Sequence, residues 1–343
     1  MDFTLDPQQQ AVADVVGAVL GKHGDSEDVW TNLVQAGVAN LAIPEEFGGD
    51  GVGILEIGAV LTEVGRRAVI SPALATLGIA TSAILCGADS EQQKRYFAGV
   101  GDGAVLTVAH NEPAESMPTD PTTSHVNGRL NGTKVAVPYA DRCERMVVST
   151  SGGTVCIPSQ SEGVQVRRTH SATGAKEFTV HFTDTPVGEE DVLHGVDADR
   201  LSDLVLAAAG AYGGGLLQGA LRLTADYLAS RHQFGKPMTT FQMVAAQLAD
   251  VYISARTVDL AAKSAVYQLN KGVDARSDLA VLGYWLAVEA PPAMQKCHHL
   301  HGGIGVDITY PMGRYYAAVK DIVRLIGGPE RRLDLVGAPC LSN

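Results

Sequence analysis

The sequence lacks an excess of basic residues. It contains 26 lysines and arginines against 38 aspartates and glutamates, which gives a formal net charge of −12. Proteins that bind nucleic acid neutralise phosphates with clustered lysine and arginine side chains, and this composition provides no such surplus. We therefore do not expect nucleic acid as a partner, and an acidic soluble enzyme or subunit is the simplest interpretation.

Cysteine is also scarce, and its few positions are scattered. The five cysteines are Cys86, Cys143, Cys156, Cys297 and Cys340. None forms the close pairs that are typical of zinc sites or disulfide frameworks. We predict reduced thiols, as in proteins of the reducing cytoplasm.

The start of the sequence has neither a positively charged segment nor an apolar run, so no signal peptide is predicted and a cytoplasmic location is expected. One apolar stretch, residues 204–221, lacks charged residues but holds five glycines. Each glycine inside a helix costs about 1 kcal/mol relative to alanine, and tight packing must offset this. We predict a buried bundle helix here rather than a membrane span.

Residues 1–104 have helical spacing of their apolar positions. Asp6 and Pro7 are typical of an N-cap and a first helical position. Further helices are predicted over residues 30–41, 54–67, 73–86 and 90–100. The first part of the chain is therefore predicted to be a helical domain.

Residues 105–190 consist of short β-branched runs separated by turn residues, with Ser151-Gly152-Gly153 typical of a hairpin turn. This pattern predicts a middle domain built on an antiparallel sheet. Helical spacing returns in residues 191–343. Long helices with short connections favour an antiparallel four-helix bundle. The predicted helices cover residues 199–230, 239–271, 278–301 and 310–326.

Four motifs follow one another in this α+β order. They are Ile-Pro-Glu-Glu-Phe-Gly-Gly at 43–49, Leu-Asn-Gly-Thr-Lys at 130–134, Arg-His-Gln-Phe-Gly-Lys-Pro at 231–237 and His-Gly-Gly-Ile-Gly at 301–305. In sequence and separation they resemble the motifs of acyl-CoA dehydrogenases over nearly the whole chain. The resemblance implies that family's fold, FAD as cofactor, and α,β-dehydrogenation of an acyl-CoA thioester.

The resemblance also implies which residues bind FAD. Arg231, Phe234 and Gln242 would hold one FAD, and a guanidinium suits its pyrophosphate because charge-assisted hydrogen bonds to phosphate are strong. The segment with His299, Gly302 and Gly303 would complete a neighbouring subunit's FAD site, where glycines let the backbone approach closely. His299 replaces the family's usual glutamine.

A metal site at this histidine cluster is not predicted. His298, His299 and His301 lie close in sequence, with Cys297 adjacent, but no acidic or cysteine residues accompany them at ligand spacing.

The catalytic base of the family is missing from both of its expected positions. Removal of the α-proton requires a base, which in this family is a glutamate at one of two places. The place near the C-terminus falls on Ile326 or Gly327, and the other falls on Val205. Glu330 and Asp203 are the remaining acidic residues near these positions.

Two segments of the sheet domain also depart from the family. Where many members place an aromatic ring and a hydroxyl beside the flavin, this chain has Ala136-Val137-Pro138-Tyr139, and proline lacks an amide donor. The loop at residues 111–117, Asn-Glu-Pro-Ala-Glu-Ser-Met, has lost a glycine of the family pattern. Both changes predict weaker contacts with the flavin.

The resemblance extends to actinobacterial heterotetramers that degrade steroid side chains, in which one chain type supplies the glutamate and the other completes the FAD sites. We interpret this chain as the second type, with a catalytic acyl-CoA dehydrogenase subunit, a steroid-CoA or other acyl-CoA substrate, and an electron-transfer flavoprotein as implied partners. Two alternatives remain at this stage. One is a self-sufficient homotetramer with Glu330 or Asp203 as base, and the other is a flavin-free scaffolding protein.

Overall fold

The computed structural model describes residues 3–24, 26 and 28–341. The first helix, α1 (Pro7–His23), begins as predicted. The carboxylate of Asp6 accepts a hydrogen bond from the Gln9 backbone N–H at 2.8 Å, and the Gln9 side chain accepts one from the Asp6 N–H. This reciprocal capping fixes the start of the helix.

The rest of the N-terminal part is helical with two differences from the prediction. The helices are α2 (Val29–Gln35), α3 (Ile54–Arg66), a π-helix (Leu74–Thr81) that continues into α4 (Ser82–Gly87), and α5 (Ser90–Phe97). The helix predicted over 30–41 ends early because Gly37 adopts φ +81°, and a short 3₁₀ turn follows. The helix predicted over 73–86 is largely a π-helix, which periodicity does not distinguish.

Two four-stranded sheets follow. The strands are β1 (Leu106–Ala109), β2 (Ser124–Val126), β3 (Arg129–Pro138), β4 (Arg145–Thr150), β5 (Gly153–Pro158), β6 (Val164–Thr169), β7 (Glu177–Pro186) and β8 (Val192–Leu193). The first sheet has the order β1-β4-β5-β8 and the second β2-β3-β7-β6. The predicted hairpin at Ser151 and Gly152 is confirmed, because Thr150 pairs with Gly153.

The middle domain is antiparallel, as predicted, except at one pair of strands. β1 and β4 run parallel, with Leu106 opposite Arg145. Two strands of the second sheet lie between β1 and β4 in the chain, so the connection is long enough for the parallel crossover that a hairpin cannot make.

The C-terminal part contains more helix than predicted. Its elements are α6 (Ala198–Ser230), the hairpin β9 (His232–Gln233) and β10 (Lys236–Pro237), α7 (Gln242–Asn270), α8 (Arg276–His301), α9 (Met312–Leu325) and α10 (Gly328–Leu341). The four predicted helices correspond to α6 to α9, and α10 is additional. Gly327 and Gly328 reverse the chain at φ +91° and +76°, and Pro329 suits the first turn of the new helix.

The apolar stretch of α6 is the core of the bundle, as predicted. The helix is long and apolar enough for a membrane span, but 89% of its apolar window is buried inside the protein. A Cβ atom on Gly215 would lie 2.2 Å from the Thr62 carbonyl oxygen, and one on Gly219 would lie 2.1 Å from that of Arg66. The glycines therefore allow direct backbone contact between α3 and α6, which offsets their low helix propensity.

Candidate functional site

A surface cleft of about 490 Å³ lies where α6 and α8 end. Arg231, the residue that ends α6, lines it together with His299, Gly302 and Gly303. Gly302 has φ +58°, and a Cβ atom on Gly302 or Gly303 would meet nothing within 4 Å. The cleft therefore combines one exposed cation with glycine backbone that a ligand can approach closely, and a guanidinium suits a phosphate group.

The structure brings together four of the six residues predicted to bind FAD, and leaves two apart. Phe234 lies in the turn between β9 and β10, 91% exposed and at φ +52°. Its ring meets Phe241 edge-on at 6.1 Å. Gln242 is the first residue of α7 and is exposed. Neither lines the cleft, so their role in FAD binding stays a prediction.

The histidine cluster has one buried member in the cleft wall. The Nδ1–H of His301 donates to the Cys297 carbonyl oxygen at 2.7 Å, and its ring stacks on Tyr227 at 4.7 Å. Burial lowers the pKa of both His298 and His301. Within the described part of the chain, no three histidine, cysteine or acidic residues are grouped to hold a metal ion.

Neither expected base position carries an acid, and a side chain at one of them would crowd Arg331. Val205 is buried on α6 with 1% of its surface exposed. Gly327 follows α9 at φ +91°, and a Cβ atom there would lie 3.0 Å from Arg331 Cδ and 3.4 Å from Ser116 Cβ. A glutamate at position 327 would therefore need a left-handed backbone and a displaced arginine.

The two remaining acidic residues lie away from these positions. Asp203 is half-buried on α6, and burial raises its pKa to about 6 against the opposing effects of Arg200 and Arg276. A raised pKa suits a general base, but Asp203 shares its surroundings with these exposed charges. Glu330 is exposed in the first turn of α10. Neither side chain lines the cleft between the sheets and the bundle that contains Pro138.

A buried ion pair lies within the sheet domain, and no sequence pattern predicts it. Lys134, from the Leu-Asn-Gly-Thr-Lys motif, is fully buried and its Nζ lies 2.8 Å from Glu112 Oε1. The ammonium also donates to the His110 carbonyl at 3.1 Å and to Ser149 Oγ at 3.0 Å. All three of its protons are therefore used.

The ion pair continues into a chain of hydrogen bonds that reaches the bundle. His110 Nδ1 lies 2.8 Å from Ser149 Oγ, and His110 Nε2 lies 2.8 Å from Ser202 Oγ on α6. One tautomer gives every proton in this chain an acceptor: the Ser149 hydroxyl, which accepts from Lys134, donates to Nδ1, and Nε2–H donates to Ser202 Oγ. Burial, followed by the charge of Lys134, lowers the pKa of His110 to about 3, so this histidine is neutral.

The pair makes stability depend on pH. Burial alone raises the pKa of Glu112, but hydrogen bonds from Lys134, Thr122 and Thr123 outweigh it and lower the pKa to about 2. A carboxyl whose pKa is lower in the folded state stabilises that state above its unfolded pKa. We expect this contribution to be lost as the pH falls from about 4.5 to about 2.

Acid unfolding followed by circular dichroism checks this expectation. The Glu112→Gln variant should be less stable at pH 7. Its free energy of unfolding should also fall less steeply as the pH is lowered, and the difference in slope should correspond to close to one proton taken up on unfolding. Equal slopes for the two proteins would contradict the assignment. Glu330→Gln is the control, because it makes the same substitution on an exposed side chain.

Comparisons with known proteins identify the family. The family described as "Acyl-CoA dehydrogenase, N-terminal domain" matches residues 9–104, and "Acyl-CoA dehydrogenase, C-terminal domain" matches residues 206–336. Acyl-CoA dehydrogenase FadE28 of Mycobacterium tuberculosis is 52% identical over 99% of each chain. This chain belongs to the acyl-CoA dehydrogenase family.

Two solved structures are similar to this chain over nearly their whole length. The ChsE4-ChsE5 complex from Mycobacterium tuberculosis superposes with a TM-score of 0.92 at 26% identity, covering 100% of both chains. The Tcur3481-Tcur3483 steroid ACAD G363A variant gives a TM-score of 0.89 at 28% identity, covering 99% of both chains. The predicted acyl-CoA dehydrogenase fold is therefore confirmed.

FAD is the cofactor of the acyl-CoA dehydrogenase family. The residues of this chain fit the dinucleotide end of FAD better than they fit its flavin ring. The cleft at Arg231 fits the dinucleotide end, because it offers a guanidinium and open glycine backbone. It also places Arg231 and the His299 segment side by side in one chain. The predicted use of each segment for a different FAD stays a prediction.

The flavin-ring end fits poorly. The cleft beside Ala136, Pro138 and Tyr139 measures about 140 Å³, below the roughly 300–1,000 Å³ of typical ligand pockets. Pro138 has no N–H, and its carbonyl accepts a hydrogen bond from the Thr107 hydroxyl. Tyr139, at φ +54°, is buried. The Pro138 backbone therefore offers no donor to the flavin's reactive edge.

Proposed function

We propose that this chain is the non-catalytic subunit of an FAD-dependent acyl-CoA dehydrogenase, assembled with a catalytic chain of the same family as a two-plus-two heterotetramer. The observation that carries the proposal is a contrast within one chain. The cleft for the dinucleotide end is open and cationic, whereas both positions for the base are apolar and the cleft for the flavin ring is small.

The division of labour follows from what the reaction requires. When bound, FAD supplies the acceptor for the hydride that leaves the β-carbon of the acyl thioester, while a base removes the α-proton. In this chain, Arg231 would hold the pyrophosphate, and Gly302 and Gly303, which carry no side chain, would let it approach the backbone closely. The partner subunit would supply the ring pocket, the glutamate and the acyl pocket. We accordingly propose two FAD molecules for each heterotetramer.

The names of the relatives support the assembly and the substrate class of this proposal. One structural relative is described as a complex of two differently named chains, and another as a steroid ACAD. We propose that the assembly oxidises a steroid-CoA thioester in cholesterol side-chain degradation in the cytoplasm, and that electrons leave through an electron-transfer flavoprotein. Phe234 and Gln242 would contact the same FAD or the partner subunit that carries its ring.

Native mass spectrometry tests the proposal, with the chain expressed alone and then together with the acyl-CoA dehydrogenase chain encoded beside it. We expect a two-plus-two complex with two FAD, and little FAD on this chain alone. A stable homotetramer with four FAD that is reduced by an acyl-CoA would overturn the proposal in favour of Glu330 or Asp203 as base. A colourless complex would favour the flavin-free scaffold.

A further inference from the structure

Two neighbouring arginines of α10, Arg331 and Arg332, contact the loop at residues 111–117. The Arg331 guanidinium forms an ion pair with Glu115 at 2.6 Å and donates to the Met117 carbonyl oxygen at 3.2 Å. Arg332 Nη2 lies 3.4 Å from the Met117 sulfur, and its Nε donates to the Ile326 carbonyl oxygen. The loop thus contacts the start of α10 through both its backbone and its side chains.

At the other end of the same loop, Asn111 forms a hydrogen bond to the end of α9. Its Nδ2 donates to the Leu325 carbonyl oxygen at 3.0 Å, and its Oδ1 accepts from the Met117 backbone N–H at 2.9 Å. Leu325 ends α9 and also lines the small cleft beside Pro138. The amide of Asn111 therefore uses its oxygen and one of its two N–H donors to join the loop to the end of α9.

These contacts hold two unfavourable features in place. Met117 has φ +51° although it is not glycine, and only 2% of its surface is exposed. Arg332 is equally buried, and among the described residues no carboxylate forms an ion pair with it. A strained bulky residue and a buried charge without a counter-ion each reduce stability, so their combination at one point motivates a functional explanation.

We propose that Asn111, Glu115, Met117, Arg331 and Arg332 form a latch that closes the seam between the sheets and the bundle to a flavin ring. The latch fills the space beside Gly327, where Ser116 and Arg331 already approach the missing Cβ atom. This inference rests on the proposed function, because it explains why the chain leaves the ring of FAD to its partner. The loss of ring binding is then a consequence of packing as well as of missing donors.

Riboflavin tests the latch, because it carries the flavin ring without the dinucleotide end. The purified chain is titrated with riboflavin, and flavin fluorescence quenching is measured for the wild type and for the Met117→Gly/Arg332→Met variant. Glycine accepts the positive φ, and methionine keeps an unbranched apolar stem in place of the charged arginine. We expect the variant to bind riboflavin at least about tenfold more tightly than the wild type, a difference of about 1.4 kcal/mol.

Equal binding by the two proteins, or no saturable binding by a variant that still unfolds cooperatively, would overturn the proposal. If the double variant does not fold, Met117→Gly alone serves, since it keeps the buried arginine and relieves the backbone strain; it should also bind more tightly than the wild type. Met243→Gly is the control for loss of a methionine side chain, because Met243 is exposed on α7. The proposed function fails separately, through the FAD count and subunit ratio of the complex.

Discussion

Replacing Lys134 with methionine is expected to destabilise the protein by about 3–5 kcal/mol, because the substitution leaves the Glu112 carboxylate buried without its counter-ion. Lys134 Nζ lies 2.8 Å from Glu112 Oε1, and both side chains are almost completely buried, so water screens the two charges very little. The hydrogen bonds from Thr122 and Thr123 remain in the variant and favour the lower part of that range. Urea unfolding followed by circular dichroism measures the change.

Two controls separate the buried charge from general damage to the sheet. The double variant Lys134→Met/Glu112→Gln should recover about 1 kcal/mol or more, because a neutral amide replaces the unpaired charge. Lys176→Met should change stability by less than about 1 kcal/mol, since Lys176 is half-exposed and pairs with Asp141 only at 3.5 Å. A single variant as stable as the wild type would show that the pair contributes nothing net.

Replacing Arg231 with alanine is expected to weaken FAD binding by the assembled complex about 100-fold or more. Two charge-assisted hydrogen bonds to a pyrophosphate, each contributing about 1.5–3 kcal/mol, give a loss of this size. Arg231→Lys should be intermediate, because lysine keeps the charge but loses the bidentate geometry. FAD release, followed by the rise of flavin fluorescence on dilution, measures the affinity.

The control for Arg231 lies on the same helix. Arg222 is exposed on α6 and approaches Asp226 only at 3.8 Å. Arg222→Ala should therefore leave FAD affinity unchanged while removing the same charge from the same element. If Arg231→Ala retained wild-type affinity, the cleft beside His299 would not be the dinucleotide site, and the proposed role of this chain would need another cation.

Much of the architecture was predictable, because helical spacing and turn residues are local signals. The helix α10 was missed for a local reason as well. Gly327, Gly328 and Pro329 are typical of a chain end or loop, yet here the glycines turn the chain and the proline begins a helix. The parallel pairing of β1 with β4 depends on a long crossover, and strand composition carries no information about it.

In the candidate site, too, the sequence predicted local positions but not the contacts between distant segments. The motifs placed Arg231, His299 and the glycines correctly on two helix ends, but only the fold places both ends in one cleft. The pair of Lys134 and Glu112 joins a strand to a loop 22 residues earlier, and no periodic pattern connects them. The latch between residues 111–117 and α10 joins positions more than 200 residues apart in the chain, so it was visible only in three dimensions.

The glycine contacts between α3 and α6 have a mechanical consequence. At Gly215 and Gly219 the two helices touch backbone to backbone, with no side chain between them to change rotamer or slide. The N-terminal helical layer and the bundle are therefore coupled as one stiff unit along this line. A displacement of the N-terminal layer would therefore move α6 with it as a tilt of the whole unit, without slippage between the two helices.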